Sequence, residues 1–177
     1  MAATAAMAEM VMHNCPECAA EDEQWNIVPI VVDSSGPYQL LCNREINSQE
    51  EMAGLRIRAT GLAGRVIEEM GAVPANITFA EIYESLQRGV IECAAGEPSW
   101  LTTYSFRDVV TNVIEVNATK NVIPHVISFN RTYWNTLTDD QQQILIEEAQ
   151  IAYVNRVWAE QDEFAAAREE LSQTVTF

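Results

Sequence analysis

Gly54-Leu55-Arg56-Ile57-Arg58, followed by Thr78-Phe79-Ala80-Glu81-Ile82-Tyr83 and Gly89-Val90-Ile91-Glu92, is the part of the chain on which its fold turns. Leu55 to Ala59 reads as a short strand. Alternation puts Leu55, Ile57 and Ala59 on one face and Arg56 and Arg58 on the other. Ahead of it, Ser48 and Glu51 stand at capping-box spacing and open a helix of one or two turns that Gly54 stops. Behind it, Leu62 to Met70 is an amphipathic helix closed by Gly71, and Val73 to Ile77 is extended. Thr78 and Glu81 form a second capping box for a helix that runs through Leu86 to near Gly89. Val90 to Ala94 reads as a strand again. Strands alternating with capped helices predict a mixed α/β fold.

Working outward, residues 2 to 12 predict an alanine-rich helix, and Ala19 to Gln24 a further turn or two. Ile27 to Val32 is β-branched strand, with Pro29 marking an edge or a strand start. Ser34-Ser35-Gly36-Pro37 breaks it, and Tyr38 to Cys42 is a second strand. Pro98 to Phe106 is a turn followed by a loop or short helix. Val109 to Val116 is strand, and Val122 to Phe129 is an apolar run containing Pro124 and His125. His125 reads as a satisfied core histidine. Thr138 and Gln141 box the start of a long helix over 138–171, with Ile144, Leu145 and Ile151 expected to seat it. That length suggests an outer helix spanning more than one lobe.

The 177 residues can bury a real core, and 48% are apolar, which excludes a disordered chain. The net charge is −16, from 26 acidic against 10 basic residues. Such a surface repels phosphate backbones and anionic membranes, so nucleic acid is not an expected partner. No run of about 18 apolar residues predicts a membrane span. The first dozen residues lack the basic start of a signal peptide. Four cysteines occur, and Cys15-Pro16-Glu17-Cys18 is a CxxC that reads as a redox pair, half a zinc site or a structural disulfide. His13 and Cys42 would complete a zinc site only by accident of folding. Glycosylation-type tripeptides begin at Asn76, Asn117 and Asn130 and do not set a compartment.

In order and spacing, these segments resemble the extracytoplasmic solute receptors of the TRAP transporter family. Gly54 to Arg58 resembles the family's "GLKIR" strand, and Phe79 to Gln87 its "FSEVYxALQ" helix. Gly89 to Glu92 resembles "GxVDG", and Trp134 to Gln141 resembles the segment that opens the terminal helix. The resemblance runs from about Val11 to the end and corresponds to the family's C-terminal half. It implies a Venus-flytrap α/β fold of which residues 1–177 form a partial domain, a fragment holding mainly the second lobe. It also implies a periplasmic location, a small carboxylate ligand, and membrane permease subunits as partners. Neither cofactor nor catalysis is implied.

By the same resemblance, Arg58 is the clamp for the ligand carboxylate, and the fork of a guanidinium suits two carboxylate oxygens. Arg56 reads as solvated or paired with Glu50 or Glu51. Gly61 falls where many relatives offer a polar side chain, and the free N–H groups of the helix beginning there favour an anion. Phe79 reads equally as pocket wall or core. Tyr38 aligns near a second arginine of the sialic-acid-binding branch, and Gly96 near that branch's asparagine. Both departures imply a smaller or less polar ligand. Trp100 and Tyr104 read as closing over the ligand body or as packing, and Glu92 as bracing a strand end. Two other readings compete with capture. One is a non-functional truncated remnant; the other is a thiol–disulfide enzyme using Cys15 and Cys18. The sequence has no nucleophile elbow, HExxH motif or phosphate loop.

Overall fold

The computed structural model describes residues 2–34, 37–117, 122–172 and 174–176. Helices α1 (Ala2–His13) and α2 (Pro16–Gln24) precede strands β1 (Ile27–Ser34) and β2 (Gln39–Cys42). Strand β3 (Arg56–Arg58) leads through α3 (Gly61–Glu69) to β4 (Val73–Ala75). Then come α4 (Ile82–Gln87), β5 (Cys93–Gly96), α5 (Trp100–Thr103) and β6 (Asn112–Ile114). Strand β7 (Val122–Asn130), α6 (Arg131–Trp134) and α7 (Asp139–Leu171) follow.

These elements divide into two compact units, Met1–Ser35 with Asn121–Ala159, and Gly36–Lys120 with Glu160–Phe177. The expectation of a C-terminal lobe alone is therefore corrected, because each unit has its own sheet and its own core. Short-range patterning could not reveal this, since the first unit is assembled from segments far apart in sequence.

In the first unit β1 and β7 pair antiparallel, from Ile27 opposite Asn130 to Ser34 opposite Val122, with irregularities between Pro29 and Val31 and between Val31 and Asp33. Pro29 is tolerated because a two-stranded sheet leaves each strand an open edge. Ile30, Val31, Trp134 and Ala149 form the core, with Leu145, Ile146 and Tyr153 packed against it. The expected seating of α7 changes by one face. Leu145 is inward as predicted, but Ile144 and Ile151 are 58% and 55% exposed. The side chain of His125 lies outside the described residues.

In the second unit the strand order is β4-β3-β5-β2-β6. Strand β3 runs parallel to β4 and β5, whereas β2 runs antiparallel to β5 and β6. One face packs on Ile57, Ala63, Ile67 and Met52, and the other on Ile82, Leu86, Leu101 and Phe106. The C-terminal segment returns to this core through Leu171 and Val175. Thr176 also exchanges backbone hydrogen bonds beside β6, accepting from Val113 at 2.7 Å and donating to Thr111 at 3.0 Å.

Local sequence signals hold in some places and yield in others. Thr78 and Glu81 form their capping box, as do Thr138 and Gln141. At the Ser48 box, Glu51 instead accepts from the Asn47 N–H at 3.0 Å, and the segment is a single 3₁₀ turn over Glu50–Met52. The strand expected at Val90–Ala94 begins only at Cys93, because the Val90 and Ile91 N–H groups are taken by the Ser85 carbonyl at the end of α4. All four cysteines are oxidised, as Cys15–Cys18 and Cys42–Cys93. Among the described residues no cluster suited to a metal ion occurs, and no helix is long and apolar enough to cross a membrane.

Cys42 and Cys93 lie directly opposite each other on β2 and β5, both fully buried. Their bond closes a segment 51 residues long in the unfolded chain. The double variant Cys42→Ala, Cys93→Ala is expected to lose about 2–4 kcal/mol of unfolding free energy. A denaturant titration checks this, and an unchanged midpoint would show that the sheet does not depend on the bridge.

Candidate functional site

Arg58 is the last residue of β3 and is flanked on both sides by parallel strands, opposite Ala75 of β4 and Ala94 of β5. Beyond β5 the direction reverses, since β2 is antiparallel to it. The carboxyl ends of parallel strands beside such a change are where open α/β sheets hold ligands. Alternation faces Arg58 away from the buried Ile57 and onto the side of Ala94.

Arg58 is half-buried, and its Nε donates to the Ile77 carbonyl at 3.0 Å. That leaves the two Nη groups at the tip of the fork for an end-on acceptor. Burial lowers the guanidinium pKa from its ordinary value, partly offset by the Tyr38 phenol. Among the described residues no carboxylate pairs with Arg58, whereas Arg56, Arg88, Arg107 and Arg168 each reach a glutamate. Arg56 pairs with Glu92 at 3.1 Å rather than with Glu50 or Glu51. The Glu92 carboxylate also accepts from the Arg56 backbone N–H at 2.7 Å, and so braces the start of β3. Burial pushes the Glu92 pKa up, but these Arg56 hydrogen bonds and the nearby charge outweigh it and hold the carboxyl below its ordinary value.

Tyr38, Phe79, Gly96 and Trp100 gather at one end of this sheet. Gly96, the last residue of β5, lies under the Trp100 ring, where an added Cβ would stand 2.1 Å from a ring carbon. Only glycine leaves room for the indole. Trp100 is itself 8% exposed, so the pair is a covered floor rather than an open face. Tyr38 meets Trp100 edge-on at 5.9 Å, and Phe79 stands perpendicular to it at 4.9 Å. Phe79 also touches Tyr104 at 4.9 Å and Phe106 at 6.2 Å, yet remains 40% exposed. Tyr104 is 49% exposed. Gly61 heads α3 three residues beyond Arg58, exposed, at φ +56° and with open space where a Cβ would be. Phe106 was not singled out from the sequence. The signal that points to it is the recurrence of aromatics at 100, 104 and 106 around a short helix.

Arg58 thus stands at a sheet end whose neighbouring segment carries the partly exposed ring of Phe79, with Tyr104 against it. The model of the bacterial extracellular solute-binding proteins, family 7, matches residues 3–175, and the chain belongs to that family. It is a family of solute-binding proteins, not of enzymes. A solute-binding protein of Roseobacter denitrificans is 27% identical over 133 residues, which are 73% of this chain and 40% of that protein. The C4-dicarboxylate-binding periplasmic protein DctP of Shewanella loihica is 28% identical over 109 residues, 59% of this chain and 31% of that one. Among solved structures, a TRAP periplasmic solute-binding protein of Pseudomonas putida with bound D-glucuronate superposes with a TM-score of 0.75 at 21% identity. It covers 96% of this chain and 57% of that one. The periplasmic ectoine-binding protein of Halomonas elongata gives 0.74 at 18% identity, covering 96% and 56%. The chain thus spans about half the length of these structures.

The family match corrects the extent of the resemblance. It begins at residue 3 rather than near Val11, includes both compact units, and does not support describing the chain as a fragment limited to a C-terminal half.

Two measurements probe this geometry. Gly96→Ala must displace the Trp100 ring, so an altered tryptophan emission maximum is expected, with a loss of about 1–3 kcal/mol from overpacking. An unchanged spectrum would mean that the ring does not rest on the strand. A carboxyl held low in the folded state stabilises above its unfolded pKa, and that contribution is lost as pH falls through the folded value. Glu92→Gln should therefore lower stability near pH 7 and flatten the acid limb of the stability curve below about pH 4. Thermal unfolding across pH 2–8 reads both effects.

Proposed function

We propose that this chain captures a small organic acid on its second unit, with Arg58 as the anchor for the ligand carboxylate. It then delivers that solute in the periplasm to the membrane permease of a TRAP-type transporter. The observation that carries the reading is the half-buried Arg58 guanidinium. It has no carboxylate partner among the described residues, and its Nη groups remain available after Nε engages Ile77. In a partly desolvated setting, a bidentate contact to a carboxylate is the interaction that best compensates such a charge.

The ligands named for related structures support it. D-glucuronate, α-D-taluronate and L-galactonate are bound in three of them, and each is a carboxylate. Phe79 and Tyr38 serve as walls of the site, with Trp100 and Gly96 as the floor behind them. Gly61, at the start of α3, contributes backbone N–H groups. Neither cofactor nor metal has a part in this scheme.

The test replaces the charge and keeps a donor. Arg58→Gln retains an N–H that can reach the Ile77 carbonyl but loses the cation. Titration calorimetry of the full chain with succinate, D-glucuronate and benzoate is expected to find binding to at least one acid. Arg58→Gln should weaken that binding about tenfold to a hundredfold, with its melting temperature near that of the parent. Equal affinity in parent and variant would remove Arg58 from the site.

A further inference from the structure

We propose that the acid held here is an arene monocarboxylate: one carboxylate on Arg58, joined to a flat aromatic body packed against Phe79 and Tyr104. The inference rests on the Arg58 anchor argued above and concerns the rest of the ligand.

The first argument is the surface itself. Phe79 lies against three other rings, which would ordinarily make it core, yet 40% of it remains open, and Tyr104 beside it is 49% open. The covered Trp100 fixes Phe79 from behind, perpendicular at 4.9 Å, so the exposed ring is held in place rather than free to fold away. Phe79 is delivered by the segment that Arg58 pins, since Ile77, whose carbonyl takes the Nε hydrogen bond, lies two residues before it. The cation and the exposed ring are thus placed by one and the same turn. Aromatic rings favour edge-on or offset contact with further rings, and Phe79 and Tyr104, which meet at 73°, each keep part of their surface open for such a contact. A rigid planar ligand also loses little conformational freedom on binding.

The second argument is what the polar side chains nearby are already doing. Thr78 donates from its hydroxyl to Glu81 at 2.6 Å. Gln39, opposite Gly96, donates to Asn117 at 2.9 Å and accepts from its backbone N–H at 2.9 Å. A sugar acid presents a hydroxyl on nearly every carbon, and each needs a partner once desolvated. With these groups engaged with one another, a hydroxylated body would compete with their existing hydrogen bonds, whereas an arene needs only the rings.

The experiment titrates the full chain with benzoate, phenylacetate, D-glucuronate and succinate by calorimetry and tryptophan fluorescence. Benzoate or phenylacetate is expected to bind at least about tenfold tighter than either of the others. Phe79→Ala and Tyr104→Ala are each expected to weaken the arene acid about threefold to tenfold. Tyr104 is exposed in a short turn, so its variant tests the ring contact even where Phe79→Ala disturbs folding. If D-glucuronate or succinate binds more tightly than both arene acids and that binding is lost in Arg58→Gln, the aromatic inference is overturned while the anchor stands. If an arene acid binds equally to parent and Arg58→Gln, the anchor falls. Absence of binding by all four acids overturns both.

Discussion

The hydrogen bond from Arg58 Nε to the Ile77 carbonyl joins the end of β3 to the turn that leaves β4. It fixes three things at once. It holds the guanidinium in a half-buried setting, so the charge is neither washed out by water nor satisfied by it. It leaves the two Nη groups as the edge open to the proposed carboxylate, which would meet them end-on. And it holds the backbone that positions Thr78 as a cap and Phe79 as an exposed ring. A hydrogen bond to a charged group contributes about 1.5–3 kcal/mol, enough to keep a short turn in one arrangement. Lysine could supply the charge but not the planar fork that serves both directions.

That arrangement needs a floor, and small residues provide it. Strand β5 reads Cys93-Ala94-Ala95-Gly96, and every residue in it is buried. A strand of large β-branched residues would bury more apolar area, but it would push the helix carrying Trp100 off the sheet. Instead the indole occupies the space above Gly96, and the Cys42–Cys93 bridge ties β5 to β2 at the other end of the strand. What the small side chains forgo in burial, the aromatic cluster and the cross-link supply.

The parts of this design that were legible in the sequence are those set by neighbours in the chain. Thr78–Glu81 and Thr138–Gln141 cap as their spacing dictates, and the alternation over 56–58 separates Ile57 from Arg58. What was not legible depends on partners remote in sequence. Val90 and Ile91 have strand-forming side chains, but the carbonyl of Ser85 claims their N–H groups and delays the strand to Cys93. Arg56 had nearer candidates in Glu50 and Glu51, yet pairs with Glu92, whose segment lies alongside β3. The division into two units could not be read locally, because β1 finds its partner in β7 about a hundred residues away. On α7, Ile144 and Leu145 sit on adjoining faces of similar hydropathy, and periodicity alone does not say which one the core accepts.

For an acidic chain to gather an anion, as proposed, local charge must outweigh global charge, and the length scales explain how it can. At physiological ionic strength, exposed charges farther than about 8 Å are largely screened. Most of the −16 therefore has little effect at the tip of Arg58, while a carboxylate at about 4 Å interacts with it at roughly 4 kcal/mol for an effective dielectric near 20. The pairing of other arginines with Glu84, Glu92, Glu115 and Glu170 sharpens the contrast. Those pairs are largely solvated and contribute little to stability, but each leaves a cation with a carboxylate partner already in place. Arg58 differs from them in having burial on one side, a backbone carbonyl on Nε, and aromatic surface beside it. The proposed preference for an acid with an apolar body rests on that combination, since the rings contribute only when water leaves them and the charge is strongest in the same circumstance.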